Sequence, residues 1–255
     1  MLRIPRDEPA LFASDAHLAP EAPATAALFL GALEALGREP PRTRHLFLLG
    51  DLFELWVGDD GADPLAARLA GLLSRLAERG VRVRLMRGNR DFLLDVPVPG
   101  VAAPFSAACG ATLLEDPCRL DLHGVPTLLA HGDALCTDDL VYQQWRATCR
   151  DPAWQAAFLA RPLPERFEIG RSARETSEAG KREKPGALMD VNAAAVDRAM
   201  DAVGATVLIH GHTHRPATHR WRAGGIERTR VVLTDWDAAA GRGALLRWED
   251  GRAAG

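Results

Sequence analysis

Lysine is nearly missing from this chain: of its 31 basic residues all but Lys181 and Lys184 are arginine, and Tyr142 is the sole tyrosine. Basic charge is not in excess either. With 34 acidic residues and a formal net charge of −3, the bulk footprint of a nucleic-acid binder is absent, and any basic patch must be local. The cysteines, Cys109, Cys118, Cys136 and Cys149, show no Cys-x-x-Cys spacing. A zinc ribbon is therefore not expected, and free thiols in a reducing compartment, the cytoplasm, are. Long apolar runs are missing too: the uncharged apolar stretch Ala22 to Leu33 is too short to span a bilayer. The N-terminus mixes Arg3, Arg6, Asp7 and Glu8 with two prolines, so neither a targeting nor a transmembrane segment is expected. One α/β domain spanning residues 1–255, with a single core and an insertion, accommodates the length.

What is present is a series of apolar runs that end in polar groups. Ala10 to Ala13 reads as a buried strand leading into Ser14-Asp15-Ala16-His17, and His45 to Leu49 as a second leading into Gly50-Asp51-Leu52-Phe53-Glu54. Val81 to Met86 ends in Gly88-Asn89-Arg90-Asp91. A hairpin of Leu120 to Leu122 and Thr127 to Ala130 around Gly124 returns to His131-Gly132-Asp133. The run Ala205 to Leu208 leads into Ile209-His210-Gly211-His212-Thr213-His214, where His212 and His214, two apart, can share one side of an extended backbone while Gly211 lets it turn. Helices are predicted over Thr25 to Leu36, stopped by Gly37, and from Asp63-Pro64 as N-cap and first residue to Gly80, with a stripe of Leu65, Leu69, Leu72, Leu73 and Leu76. Taken singly, each polar exit also reads as a turn or a structural histidine. Open α/β sheets, however, bind ligands at the carboxyl ends of their strands, and here five such exits occur in one chain.

Together, Asp15-x-His17, Gly50-Asp51, Gly88-Asn89, His131 and Gly211-His212-x-His214 resemble, in order and over nearly the whole chain, the motif set of the calcineurin-like metallophosphoesterases. The resemblance implies an αββα fold: two mixed β-sheets flanked by helices, with two metals at the strand ends. It implies that Asp15, His17, Asp51 and His214 hold one ion and that Asp51, Asn89, His131 and His212 hold the other. Asp51 would then be the bridge in a hydrolysis by water activated between the two ions. Nitrogen and oxygen ligands without thiolate suit manganese, iron or zinc; manganese is the expectation at family level. Most of this superfamily carries a histidine after the Asn of Gly-Asn, where this chain has Arg90. An arginine cannot protonate a leaving group near neutral pH, but its fork can neutralise phosphate oxygens. Cleavage of a pyrophosphate, whose leaving phosphate needs no proton, is therefore favoured over a phosphomonoester.

Three longer stretches narrow the resemblance: residues 50–60 (GDLFELWVGDD), 88–94 (GNRDFLL) and 131–139 (HGDALCTDD). With Met189-Asp190-Val191-Asn192 and the segment His210 to Pro216, they resemble the UDP-2,3-diacylglucosamine hydrolase family of lipid A biosynthesis. That resemblance implies release of UMP and 2,3-diacylglucosamine 1-phosphate (lipid X) by an enzyme peripheral to the cytoplasmic side of the bacterial inner membrane. A broader nucleotide phosphodiesterase or UDP-sugar pyrophosphatase of the same superfamily is the alternative, and a non-catalytic binding module would have lost ligands that are all present here. Thr234-Asp235-Trp236-Asp237 departs from the family's glycine-containing strand exit, leaving the role of that loop open.

The insertion, about Asp139 to Pro185, is not required by a metal centre. Trp145, Trp154, Phe158, Leu159, Leu163 and Phe167 load it with apolar bulk, short helical segments broken by Pro152, Pro162 and Pro164 are predicted, and basic residues outnumber acids. It reads either as a subdomain burying its own aromatics or as a lid with a greasy interior and a rim facing an anionic membrane. Both lysines and the tyrosine fall inside it. The resemblance implies substrate contacts at Asp139, Tyr142, Ser177, Lys181 and Lys184, beside Asn89, Arg90 and His212 at the centre.

Overall fold

In a computed structural model, residues 2–37, 43–183, 190–249 and 252–254 are described. Two six-stranded sheets lie face to face. The first is ordered β12-β11-β2-β3-β4-β5, built from β2 (Ala10–Ala13), β3 (His45–Leu49), β4 (Arg82–Met86), β5 (Thr112–Leu114), β11 (Leu246–Glu249) and β12 (Arg252–Ala254). The second is ordered β1-β6-β7-β8-β10-β9, from β1 (Leu2–Ile4), β6 (Cys118–Leu122), β7 (Val125–Ala130), β8 (Val207–His210), β9 (Ala217–Ala223) and β10 (Ile226–Val232).

Strand alternation decides where each side chain goes. Phe47 and Leu49 of β3 join Phe12, Met86, Leu120, Leu122, Leu129, Ile209 and Val231 in the layer between the sheets. Their neighbours Leu46 and Leu48 turn the other way, onto Phe29, Leu30 and Leu33 of α1 (Pro23–Leu36) and Leu69, Leu73 and Leu76 of α2 (Pro64–Glu78). On the far side, Leu128, Ala130 and Leu208 meet Val196 and Met200 of α7 (Ala193–Val203). The layers are thus helix, sheet, sheet, helix. Phe12 and Phe47, paired in register on adjacent strands, stack at 4.8 Å, a contact worth about 0.5–1.5 kcal/mol beyond the area it buries.

Strands β2, β3, β4 and β5 run parallel, as do β7, β8 and β10. The exits of β2, β3, β4, β7 and β8 therefore deliver all five polar motifs. The helix capped by Asp63, which accepts from the Ala66 N–H, and the β6–β7 hairpin, turned on His123 and Gly124 at positive φ, follow the sequence reading. Elements that it did not name are α3 (Phe105–Ala108), α7, β1, β5, β9, β10, β11 and β12.

The insertion forms α4 (Leu140–Cys149), α5 (Pro152–Leu159) and α6 (Leu163–Glu183). The expectation of short segments broken by proline holds for α4 and α5, which end before Pro152 and Pro162, and is corrected for α6, which runs for 21 residues with Pro164 in its first turn, where a missing N–H costs nothing. Much of the apolar load also has a different destination from a lid interior. Phe158 and Leu159 are buried in the core with Trp56 and Val57, and Trp154, Leu163, Phe167 and Ile169 pack against it. The buried Arg166 locks α6 down further, donating to the Val57 carbonyl at 2.6 Å and to both oxygens of Asp60. Leu140, Val141 and Trp145 of α4 stay exposed.

Candidate metal centre

Five residues at the strand exits, Asp15, His17, Asp51, His212 and His214, hold φ between 44° and 68°, in the left-handed region that side chains other than glycine rarely adopt. Such positions cost on the order of 1–3 kcal/mol each and persist where the surroundings over-determine them. Here the turns aim side chains inward from both sheets. His212 and His214 therefore do not share one side of an extended strand, since β8 ends at His210 and the two rings go to different clusters.

In the first cluster, His17 Nε2 and His214 Nε2 face each other at 3.2 Å, and Asp15 Oδ1 lies 3.5 Å from His214 Nε2 and 3.9 Å from His17 Nε2. In the second, Asn89 Oδ1 lies 3.0 Å from His131 Nε2 and 2.7 Å from His212 Nδ1. Asp51 stands between them, with Oδ2 3.9 Å from His17 Nε2 and Oδ1 3.6 Å from His131 Nε2. One carboxylate thus turns an oxygen to each cluster. The structure brings together all seven side chains that the resemblance pointed to as ligands.

These residues fit cations. Asp15 is fully buried; its Oδ2 accepts from Ser14 Oγ and the His212 N–H, while its Oδ1 has no hydrogen-bond partner and points at two imidazoles. A buried carboxylate oxygen left so is costly unless an ion satisfies it. The histidines are set for ligation from behind. His131 Nδ1–H donates to the Leu49 carbonyl at 2.9 Å, and His17 Nδ1 lies 2.7 Å from Glu54 Oε2, leaving Nε2 of each to face the cluster. Charge is balanced by protons in the bare site. Burial opposes it, but Asp51, Asp15, Asp133 and Asp116 push His131 up to about 9. Burial, with the His131 charge, pushes His212 down to about 4.

Glycine is required where loops touch. A Cβ on Gly88 would come 2.1 Å from Asp51 Oδ1, and one on Gly211 would come 2.2 Å from Asp15 Oδ2.

Several participants carried no assigned role in the sequence. Asp91, fully buried, accepts from the N–H groups of Gly88, Asp51 and Leu52 and so ties the β3 and β4 exits together; burial and the Asp51 charge push its carboxyl up to about 6. It ends the Gly-Asn-Arg-Asp motif, and that spacing was its only signal. Asp133 accepts from Tyr142 Oη at 2.6 Å and Arg146 Nε at 2.8 Å, anchoring α4 beside the histidines. In the loop whose role was open, Asp235 Oδ2 lies 3.7 Å from His214 Nδ1 and is held by Arg242, while the Trp236 N–H donates to the Asp15 carbonyl.

The residues expected at the substrate divide. Arg90 is near the centre: its N–H donates to Asp51 Oδ1 at 2.8 Å and its Nε lies 3.8 Å from Glu54 Oε1. The ring of Tyr142 is 6.0 Å from that of His212. Asp139 caps α4 by accepting from the Tyr142 N–H, and Ser177 is exposed on α6. The side chain of Lys181 and the whole of Lys184 lie outside the described residues.

The model of the calcineurin-like phosphoesterase family matches residues 9–216. A UDP-2,3-diacylglucosamine hydrolase of Stenotrophomonas maltophilia is 44% identical over 248 residues, which cover 94% of this chain and 95% of the relative. One of Hahella chejuensis is 46% identical over 228 residues, 89% of each chain, and one of Chromohalobacter salexigens is 44% identical over 240 residues, 94% and 93%. With motifs, fold and these relatives in agreement, the chain belongs to the calcineurin-like phosphoesterases, and within them to the family of the UDP-2,3-diacylglucosamine hydrolases.

Proposed function

We propose that this chain hydrolyses the pyrophosphate bond of UDP-2,3-diacylglucosamine, releasing UMP and 2,3-diacylglucosamine 1-phosphate for lipid A biosynthesis. The observation that carries this reading is the Asp51–Arg90 pair: a carboxylate shared by two metal-ligand clusters, bonded by the backbone N–H of an arginine that occupies the sequence position where most of the superfamily carries a histidine. Two divalent ions, a centre that this family uses, supply electrophilic charge to the attacking and leaving oxygens when bound. Asp15, His17, Asp51 and His214 would hold one ion and Asp51, Asn89, His131 and His212 the other; manganese suits this thiolate-free set. Arg90 binds and neutralises the phosphate oxygens, and because the departing group is itself a phosphate, no side chain has to protonate it.

The exposed Leu140, Val141 and Trp145 on α4, the helix whose Tyr142 adjoins His212, support an acylated substrate taken from a lipid surface. We place the protein at the cytoplasmic side of the inner membrane, peripherally, on that support. Turnover of UDP-2,3-diacylglucosamine and of UDP-glucose, each with and without manganese, tests the reading. Rapid manganese-dependent cleavage of the acylated substrate alone is expected. Equal rates on both would point instead to a general UDP-sugar pyrophosphatase.

A further inference from the structure

Glu54 stands behind the metal centre and has three neighbours from three parts of the chain. Its Oε2 lies 2.7 Å from His17 Nδ1, while its Oε1 lies 2.6 Å from Nε of Arg174 on α6 and 3.8 Å from Nε of Arg90. The carboxylate is mostly covered, at 14% exposure, whereas Arg174 is half exposed.

The place of Arg174 along α6 gives this contact its meaning. The first part of the helix is anchored many times over, by Leu163, Arg166, Phe167 and Ile169 and by Gly170, where a Cβ would come 2.7 Å from Leu55. Residues 171–177 are all exposed, and Arg174 ties this stretch to Glu54 in the body of the protein. Ser177, which follows it on the helix, is a residue that the family resemblance implies at the substrate.

We propose that Glu54 is a positioning residue that does two things at once: it holds His17 for its cation and latches the outer half of α6 to the loop behind the metal centre through Arg174. The substrate-contacting end of α6 is thereby registered against the same carboxylate that orients a ligand. Glu54 touches neither cation nor substrate. The latch rests on the proposed function only for what α6 holds; metal binding and helix protection do not depend on the identity of the substrate.

The test uses the full-length metal-loaded protein and its Glu54→Gln, Glu54→Ala and Arg174→Ala variants. Metal affinity is read by competition with a chelator, and amide hydrogen exchange is read over residues 171–177. Glu54→Ala is expected to lose about 10- to 100-fold in metal affinity and to speed exchange. Glu54→Gln, whose amide oxygen still accepts from His17 Nδ1–H, is expected to recover most of the affinity but not the helix protection. Arg174→Ala is expected to keep metal affinity within about twofold and to exchange as Glu54→Ala does. If Glu54→Ala binds metal normally, or if exchange over 171–177 stays at the wild-type rate in Glu54→Gln and Arg174→Ala, the latch is wrong. Loss of activity on the acylated substrate with both readouts unchanged would also overturn it, whereas failure of the wild type on that substrate with both readouts as expected would overturn the proposed function alone.

Discussion

At the scale of single residues, the centre depends on what stands behind each ligand. Arg90 is held from two sides, through its backbone N–H on Asp51 and its side chain near Glu54, so its planar fork is pre-aimed. Arg90→Lys keeps the charge and loses the fork. Its kcat should fall on the order of tenfold or more, about 1.4 kcal/mol or above, with metal content unchanged; equal kinetics would remove the case for an unprotonated phosphate leaving group. His131 sets a pH dependence of a defined sign. Its bare-site pKa is raised to about 9, so below that pH a proton occupies the position that a cation needs, and metal affinity should rise as pH rises towards 9. His212, lowered to about 4, is already neutral at pH 7 and adds nothing to this. Calorimetric metal titrations at pH 7 in buffers of different ionisation enthalpy should therefore show proton release. A buffer-independent enthalpy would contradict it. The seven candidate ligands were legible as polar residues at strand exits, and their grouping came from the family resemblance. Glu54, Asp91, Asp133 and Asp235 were not, because a supporting carboxylate has no spacing of its own and is recognised only by what it touches.

At the scale of elements, the strands that carry the site motifs were legible, whereas β9 and β10 were not and the insertion was so only partly. Runs such as His45 to Leu49 are buried on both faces between helices and a second sheet, which makes them continuous apolar stretches with abrupt polar ends. Short edge pieces such as β5 and β12 carry little pattern, since pairing rather than composition makes them strands. In the insertion the prolines misled in part: the helices break before Pro152 and at Pro162, but Pro164 opens the long α6 and does not interrupt it. The aromatics misled in part as well, for Phe158 and Phe167 belong to the core, and the exposed apolar surface is on α4. Substrate selection should still reside here. Lys181→Ala with Lys184→Ala is expected to lower kcat/KM for the acylated substrate at least tenfold while slow cleavage of a small phosphodiester persists. Paired rate constants separate the outcomes, because misfolding lowers both. A parallel loss, or none on the lipid substrate, would count against selection by the insertion.

At the scale of the whole molecule, the sandwich explains why residues from 15 to 214 meet. Parallel strands in both sheets end on one side, and the layer of Phe12, Phe47, Leu49, Leu129 and Ile209 between them fixes the distance across which the two halves of the centre face each other. Asp15, His17, Asp51, Asn89 and Arg90 come from one sheet, and His131, His212 and His214 from the other. That sharing was implied by family resemblance and not by any local pattern, because register between sheets is a property of packing. It makes the chemistry sensitive to the core and leaves the insertion to choose what is cleaved. The most direct measurement is mass-spectrometric identification of the products from UDP-2,3-diacylglucosamine, using protein stripped of metal and then reloaded with manganese. UMP and 2,3-diacylglucosamine 1-phosphate in equal amounts, from the reloaded protein and not from the stripped one, is the expected result. UDP with free diacylglucosamine, or no turnover by protein shown to hold two ions, would contradict it.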